Sequence, residues 1–164
     1  MLARLFGCLL LFASLHAAAS APNVQADRIV VVKSAHTMTL YSGEKFLHQY
    51  KVAIGRGSKG PKQRQGDHKT PEGEYIVDSK NNRSRFHLAL HLSYPNASDR
   101  ARAARDHADP GGMVEIHGLP PYFAFVGSLQ SSIDWTDGCI AVSNAEIEEI
   151  WKLVPVGTKV EILP

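Results

Sequence analysis

A short segment near the C-terminal end of the chain carries the residue types best suited to covalent chemistry. The run Thr136-Asp137-Gly138-Cys139-Ile140 places a cysteine after a glycine turn, at the start of a predicted strand. Successive backbone N–H groups at such a turn can point at the oxyanion of a tetrahedral intermediate. A thiol attacks a carbonyl carbon only as the thiolate, so Cys139 needs a positioned base. The segment therefore predicts nucleophilic acyl chemistry if a base lies nearby.

His117 is the candidate base. It ends a strand predicted for residues 113–117, and Gly118 and the Pro120-Pro121 turn follow it. Functional residues are often built at strand ends beside loops. A cysteine with a distant histidine is a weak signal by itself, because most histidines at strand ends are surface polar groups. The pairing of His117 with Cys139 is therefore a hypothesis that the rest of the chain must support.

The first 19 residues predict a secretory signal peptide. Arg4 is their only charged residue, an apolar run extends from Leu5 to Leu15, and small residues follow. The run is shorter than the roughly 20 apolar residues that a transmembrane helix requires. A buried N-terminal helix is the alternative. We predict cleavage after Ala19, a single domain over residues 20–164, and a periplasmic or secreted location in a bacterial envelope.

Loss of residues 1–19 would remove Cys8 and leave Cys139 as the one thiol of the mature chain. A lone cysteine cannot form an internal disulfide, and a free thiol is a liability in an oxidising compartment. A specific use of Cys139 is one interpretation. The other is a buried, inert thiol that packs as a small hydrophobic group.

Composition excludes several classes of protein. The chain has 164 residues, with 18 Lys and Arg against 16 Asp and Glu, and 44% of its residues are hydrophobic. These values are typical of a globular protein and argue against a disordered, collagen-like or coiled-coil chain. A net charge of +2 gives no overall electrostatic case for binding nucleic acid. The length suits one domain.

The pattern of apolar residues predicts a mixed-β domain with short helices. One helix is predicted for residues 98–108, capped by Ser98 or Asp99, with Ala101, Ala104 and Ala108 facing inward. Another follows a capping box formed by Ser143 and Glu146. The order lacks regular βαβ alternation, which favours a sandwich or barrel over a doubly wound fold. Strands are predicted for residues 28–33, 37–42, 45–54, 74–78, 85–92, 113–117, 139–142 and 158–163.

Four ordered motifs resemble the L,D-transpeptidase catalytic domain (YkuD-like) family. Ile116-His117-Gly118 is similar to the family's His-Gly motif, and the run from Thr136 to Asn144 is similar to its Gly-Cys motif. Residues 29–41 resemble the opening hairpin, Lys69-Thr70-Pro71-Glu72-Gly73-Glu74-Tyr75 resembles a characteristic turn, and residues 156–162 resemble the closing strand. Asp137 stands where the family usually has a second histidine. Together with the long segment from Lys59 to Gly73 and Ser93-Tyr94-Pro95-Asn96, this Asp form resembles a branch of murein-active enzymes, some of which are hydrolases.

The resemblance implies a β-sandwich or barrel and a cysteine transpeptidase that needs no cofactor and no metal. His117 would deprotonate Cys139, which would attack the L-centre of diaminopimelate in a peptidoglycan stem peptide. Backbone N–H groups near Gly138 would hold the oxyanion, Thr136 would fix the turn or orient His117, and Asp137 would orient a neighbouring basic group. An amine acceptor, including that of an envelope protein, would give a cross-link or an anchor. Water would give hydrolysis.

Two alternatives to a transpeptidase remain open. A peptidoglycan hydrolase or amidase would use the same Cys139 and His117. A non-catalytic peptidoglycan-binding module would keep the fold without needing a thiol. No nucleic acid partner and no stable membrane span are expected.

Basic residues are candidates for binding the carboxylates of a stem peptide. One cluster contains Lys59, Lys62, Arg64 and Lys69, and a second contains Arg83 and Arg85. A solvated basic loop is the alternative for each single residue, although arginine matches a carboxylate in a bidentate manner. We assign substrate binding to a set of four residues and expect Trp135 beside the cysteine turn. The set comprises Arg64, Lys69, Tyr94 and Gly118.

Overall fold

The structure is a computed structural model that describes residues 24–57 and 59–164. The predicted signal peptide, residues 1–19, lies outside the described residues, so the domain start at residue 20 stays a prediction. No helix in the described ranges is long and apolar enough to span a membrane.

In the described part of the chain, eight strands form one mixed sheet in the order β3-β2-β1-β8-β4-β5-β6-β7. The β1–β8 and β6–β7 pairs are parallel, and the other neighbouring pairs are antiparallel. The strands are β1 (Arg28–Val32), β2 (Thr37–Ser42), β3 (Lys45–Lys51), β4 (Gly73–Ser84), β5 (His87–Leu92), β6 (Glu115–His117), β7 (Ile140–Ala141) and β8 (Lys159–Leu163).

The sheet curls into a half-barrel because the chain after β3 reaches across to the opposite edge. Ala53 pairs with Ala141 of β7, and Gly55 pairs with Thr136. The apolar side chains predicted by the alternating pattern fill the interior, including Ile29, Leu40 and Ile162. The predicted mixed-β barrel or sandwich with short helices is confirmed.

Helix α2 (Asn144–Leu153) begins as predicted. The Ser143 hydroxyl accepts a hydrogen bond from the Glu146 backbone N–H, and the Glu146 carboxylate accepts from the Ser143 N–H. Ile147 and Ile150 of this helix are fully buried against the sheet. The helix packs on β5, and its start lies close to the chain after β6.

The predicted details of helix α1 (Ala97–Arg105) are wrong. Its N-cap is Asn96, and Asp99 occupies the third helical position, where its carboxylate accepts from the Asn96 N–H. Ala103 is buried, whereas the predicted inner residues Ala101 and Ala104 are exposed. The helix turns its other face inward because Asp99 is buried with Tyr75, whose hydroxyl donates to it at 3.0 Å.

Two further elements differ from the prediction. Strand β4 extends to Ser84, well past the predicted end at residue 78, because it forms a long antiparallel pair with β5. A 3-10 segment spans Pro121–Ser132 between β6 and β7, where no element was predicted. Both changes affect the site, since the end of β4 and this segment lie beside the cysteine turn.

Candidate active site

The parallel pairing of β6 with β7 brings the two candidate catalytic residues together. Ile116 lies opposite Ile140, and His117 lies opposite Ala141. Cys139 immediately precedes β7, so the register places it level with Glu115, two residues from His117 along β6. Cys139 and His117 both line one open cavity of about 620 Å³. Trp135 also lines this cavity, as expected for a residue beside the cysteine turn.

His117 is held in one tautomer and one orientation. Its Nδ1 lies 2.7 Å from the Gly118 carbonyl oxygen. A carbonyl oxygen only accepts, so Nδ1 carries the proton and Nε2 is left as the basic nitrogen. The ring stacks on Phe86 at 4.2 Å between centroids and meets Trp135 edge-on at 5.8 Å. These contacts position an imidazole that can accept a proton through Nε2.

Burial keeps His117 neutral. The residue is 1% exposed, and this desolvation lowers its pKa to about 4. The hydrogen bond to Gly118 opposes the change, and the nearby Arg85 guanidinium adds to it. At neutral pH the side chain is therefore an uncharged imidazole, the form required of a general base.

Cys139 is a protonated thiol at rest. Burial raises its pKa to about 11, and the backbone N–H of Glu115 partly opposes this effect. The carboxylates of Glu115 and Asp137 raise the pKa further. The sulfur lies 3.5 Å from the Met113 carbonyl oxygen, which accepts from the thiol. The site therefore holds a neutral thiol near a neutral imidazole.

Thr136 fixes the shape of the cysteine turn. Its hydroxyl donates to the Cys139 carbonyl at 2.8 Å and accepts from the Gly138 N–H at 3.2 Å. Of the two roles implied for Thr136, these contacts match fixing the turn. The Gly138 N–H is already engaged by the hydroxyl, so an oxyanion would share this donor.

Gly138 is required by the local geometry. Its φ of +127° lies in a region that residues with a Cβ avoid. A Cβ at this position would lie 2.7 Å from the Lys69 carbonyl oxygen. The segment around Lys69 therefore packs directly against the backbone that presents Cys139.

Asp137 is paired with two basic groups from the loop between β3 and β4. Its Oδ1 lies 2.8 Å from Nη2 of Arg56 and 2.8 Å from Nδ1 of His68. The Arg56 N–H also donates to the Thr136 carbonyl at 3.0 Å, which joins the backbones of the two segments. Both partners are basic groups of the kind that the resemblance implies Asp137 would orient, and that role stays a prediction. Sequence reasoning did not single out Arg56 or His68.

Gly118 lies in a packed position behind His117. A Cβ there would lie 2.6 Å from Oδ1 of Asn144 and 3.0 Å from the Phe86 carbonyl oxygen. The same Asn144 oxygen accepts from the Leu119 N–H at 2.7 Å. Gly118 thus lets the chain after β6 approach helix α2 closely, and its carbonyl orients His117. These contacts place Gly118 behind the candidate base, His117.

The other three predicted substrate-binding residues are not among the residues that line the cysteine cavity. Tyr94 is 4% exposed, packs edge-on against Tyr75, and donates to the Pro110 carbonyl at 2.8 Å. Arg64 is exposed on the loop before β4. The Lys69 side chain lines a different cavity and donates to the Lys59 carbonyl at 3.2 Å. Burial of its aromatic ring takes Tyr94 out of reach of a ligand.

The second predicted basic cluster does lie at the site. Arg83 and Arg85 both line the cavity that contains Cys139. The Arg85 guanidinium lies 4.9 Å from the centre of the Phe86 ring, which stacks on His117. Extension of β4 to Ser84 carries Arg83 to this place. Glu115 also lines the cavity, and sequence reasoning did not assign it a role.

The two histidines of the His87-Leu88-Ala89-Leu90-His91 run contact carboxylates. His87 lies 2.7 Å from Glu148, and His91 lies 2.7 Å from Asp78. Within residues 24–57 and 59–164, no group of three or more His, Cys, Asp or Glu side chains is arranged to hold a metal ion.

Comparison with known proteins identifies the family. Residues 26–162 match the YkuD L,D-transpeptidase catalytic domain, and the chain belongs to this family. It is 36% identical over 133 residues to YafK of Escherichia coli (strain K12), a proposed L,D-transpeptidase. The match covers 77% of this chain and 46% of YafK. The chain thus spans about half the length of the curated relatives it matches. The predicted family resemblance is confirmed.

Solved structures share the fold. The helical cell shape determining protein Pgp2 from Campylobacter jejuni is 24% identical with a TM-score of 0.64, covering 85% of this chain and 48% of Pgp2. Bd1075 from Bdellovibrio bacteriovorus is 23% identical with a TM-score of 0.59, covering 87% of this chain and 49% of Bd1075. An L,D-transpeptidase from Xylanimonas cellulosilytica is 16% identical with a TM-score of 0.57, covering 87% of this chain and 62% of that structure. At these identities the likeness concerns the fold alone.

Proposed function

We propose that this domain is a cysteine acyltransferase that acts on peptidoglycan stem peptides. The observation that carries the proposal is the shared cavity of Cys139 and His117, in which the imidazole is held with Nε2 as its basic nitrogen. Membership of the L,D-transpeptidase family supports the reaction class and the substrate class. The predicted signal peptide supports action in the periplasm or outside the cell.

The acylation step transfers one proton and exchanges one bond. Nε2 of His117 takes the thiol proton as the Cys139 sulfur attacks the carbonyl carbon at the L-centre of diaminopimelate. The amide bond to the terminal D-alanine then breaks, and its nitrogen takes the proton back from His117. A thioester on Cys139 remains, and D-alanine leaves as the free amino acid.

The resting charges explain why the proton moves only during the reaction. A thiol with a raised pKa and an imidazole with a lowered pKa do not form a stable ion pair in the free enzyme. In the tetrahedral intermediate, the negative charge has moved from the Cys139 sulfur to the carbonyl oxygen of the substrate. It has therefore left the region around the thiol. Backbone N–H groups of the turn, with the Gly138 donor shared by Thr136, then stabilise that oxygen.

The acceptor decides the biological outcome. An amine from a second stem peptide gives a cross-link, an amine from an envelope protein gives an anchor, and water gives hydrolysis. Pgp2 is described as a helical cell shape determining protein, and by analogy we place this domain in envelope remodelling. A hydrolase or amidase with the same cysteine is the second candidate, favoured by Asp137 at the position of the usual histidine.

The test is mass analysis of muropeptides and purified tetrapeptides after incubation with the protein. The parent protein should release D-alanine and form either dimers or tripeptides. Cys139→Ala should abolish both products while its circular dichroism spectrum stays unchanged, and it should not be labelled by a carbapenem. Cys139→Ser serves as the matched control for side-chain size. Turnover by Cys139→Ala near the parent rate would contradict the proposal, and an unlabelled, inactive parent would favour a binding module.

A further inference from the structure

Glu115 is a charged group in the cysteine cavity that the acylation mechanism does not use. It is the first residue of β6, two positions before His117, so the strand directs both side chains to the same face. It lies opposite His91 of β5, whose imidazole is already engaged by Asp78 at 2.7 Å. Among residues 24–57 and 59–164, no side chain forms an ion pair or a hydrogen bond with the Glu115 carboxylate. A half-buried carboxylate therefore faces the cavity without a partner.

Such a carboxylate is unfavourable for the free protein. Burial raises the Glu115 pKa, with His91 and Arg85 opposing the change, which reflects incomplete solvation of its charge. Its negative charge also raises the pKa of Cys139. A cysteine enzyme gains from a positive environment near the thiol. We therefore expect the unpaired Glu115 carboxylate to bind a cationic group of a ligand.

Two arginines lie along the same cavity and supply the opposite charge. Arg83 and Arg85 are exposed, and within the described part of the chain neither guanidinium forms an ion pair. Arg85 is held against the Phe86 ring, which fixes its position relative to His117. The cavity thus presents one carboxylate and two guanidinium groups around the nucleophile. This arrangement is complementary to a group that carries both an ammonium and a carboxylate.

We infer that Glu115, Arg83 and Arg85 form a subsite for the zwitterionic end of the diaminopimelate side chain, with Glu115 receiving its ammonium group and the arginines its carboxylate. The inference rests on the proposed function, because it takes the stem peptide as the substrate. It adds the residues that select the third amino acid of that peptide. Binding of the ammonium also offsets the negative charge beside Cys139, so the correct side chain favours formation of the thiolate.

Three tetrapeptides that differ only at the third residue separate the two charges. Diaminopimelate carries both groups, L-lysine lacks the side-chain carboxylate, and L-2-aminopimelate lacks the ammonium. Affinities are measured by calorimetry on the Cys139→Ala protein, and kcat/KM for D-alanine release is measured on the active protein. The variants are Glu115→Gln and Arg85→Gln. Glu161→Gln on β8, also a partly buried glutamate, is the matched control.

The parent should prefer the diaminopimelate peptide over the aminopimelate peptide by about 10- to 100-fold, which is the usual effect of one charged hydrogen bond. Glu115→Gln should reduce this preference to about threefold or less and leave the preference over the lysine peptide. Arg85→Gln should reduce the preference over the lysine peptide and leave the preference over the aminopimelate peptide. Labelling of Cys139 by a penem without a basic group should stay detectable in Glu115→Gln, which shows that its cavity is intact, and Glu161→Gln should match the parent.

Equal discrimination by the parent and Glu115→Gln would overturn the subsite, as would a parent that binds the diaminopimelate and aminopimelate peptides equally. In both cases release of D-alanine would leave the proposed function standing. Failure of the proposed function has a different signature, in which the Cys139→Ala protein discriminates between the peptides but the active protein releases D-alanine from none of them.

Discussion

The carboxylate of Asp137 lies 2.8 Å from the guanidinium group of Arg56, across the boundary between two segments that are 81 residues apart in the chain. Asp137 is two residues before Cys139, the proposed nucleophile. The pair is exposed, with 72% of the Asp137 side chain accessible, so it contributes little to global stability. Its effect is to hold the outer edge of the cysteine turn.

Asp137→Asn should separate thiol reactivity from turnover. The change keeps the side-chain size and removes a charge that raises the Cys139 pKa, so alkylation of Cys139 by iodoacetamide at pH 8 should become faster. Release of D-alanine should nevertheless fall about tenfold, because the turn loses its pairing with Arg56 and His68. His117→Ala should lose much more activity. An Asp137→Asn protein as inactive as Cys139→Ala, with His117→Ala still active, would reverse the assigned roles.

Arg56→Gln tests the same contact from the other side. Loss of the guanidinium leaves Asp137 with a single basic partner and leaves its charge less compensated near the thiol. We expect slower alkylation of Cys139 and about tenfold lower kcat, with less than about 1 kcal/mol lost from the free energy of unfolding. Arg105→Gln, at the exposed end of helix α1, is the matched control. In the Asp137→Asn background the Arg56 change should have little further effect, which a double-mutant cycle measures.

Gly138→Ala tests the close approach of the Lys69 segment. A residue with a Cβ at this position is strained by the positive φ, and its Cβ also lies 2.7 Å from the Lys69 carbonyl oxygen. Gly157→Ala is the control, since Gly157 has a φ of +94° and no heavy atom within 4 Å of its Cβ position. The control should lose about 1 kcal/mol of unfolding free energy in urea titrations. Gly138→Ala should lose more and should also lose penem labelling, and equal losses in the two variants would argue against the contact.

The lowered pKa of His117 predicts a specific dependence of stability on pH. The unfolded chain protonates this histidine near pH 6.5, whereas the folded protein does so only near pH 4. Between these values the unfolded state binds more protons, so the stability due to His117 is present above pH 6.5 and is lost as the pH falls towards 4. The loss between pH 7 and pH 5 should be about 2 kcal/mol.

Urea unfolding at several pH values measures this loss, and His117→Gln removes the titrating group. Between pH 7 and pH 5, the free energy of unfolding of the variant should fall by about 2 kcal/mol less than that of the parent. This difference does not depend on the absolute stability of the variant. His117→Asn provides a second non-titrating variant if the glutamine packs poorly. Parallel pH profiles for the parent and both variants would show that His117 is solvated in the folded protein.

Local patterns in the sequence predicted where each strand lies, except the end of β4, together with the capping box of α2 and the Gly-Cys turn. Each depends on neighbours within a few residues: side-chain alternation along a strand, Ser143 with Glu146, and Gly138 before Cys139. The family resemblance predicted the family that comparison confirms, whereas the choice of His117 as the base stays a prediction. The local features could be predicted because short-range geometry and motif spacing depend only on residues that are close together in the sequence.

Tertiary structure alone decided which charged groups surround the nucleophile. Arg64, Lys69 and Tyr94 were plausible ligand contacts from composition, but strand pairing carries Arg83, Arg85 and Glu115 to the cavity and buries Tyr94 against Tyr75. Helix α1 also turns Ala103 inward, because Asp99 finds a buried partner that lies 24 residues away in the chain. Contacts between distant segments depend on sheet register and on the packing of the whole domain, which no local pattern specifies.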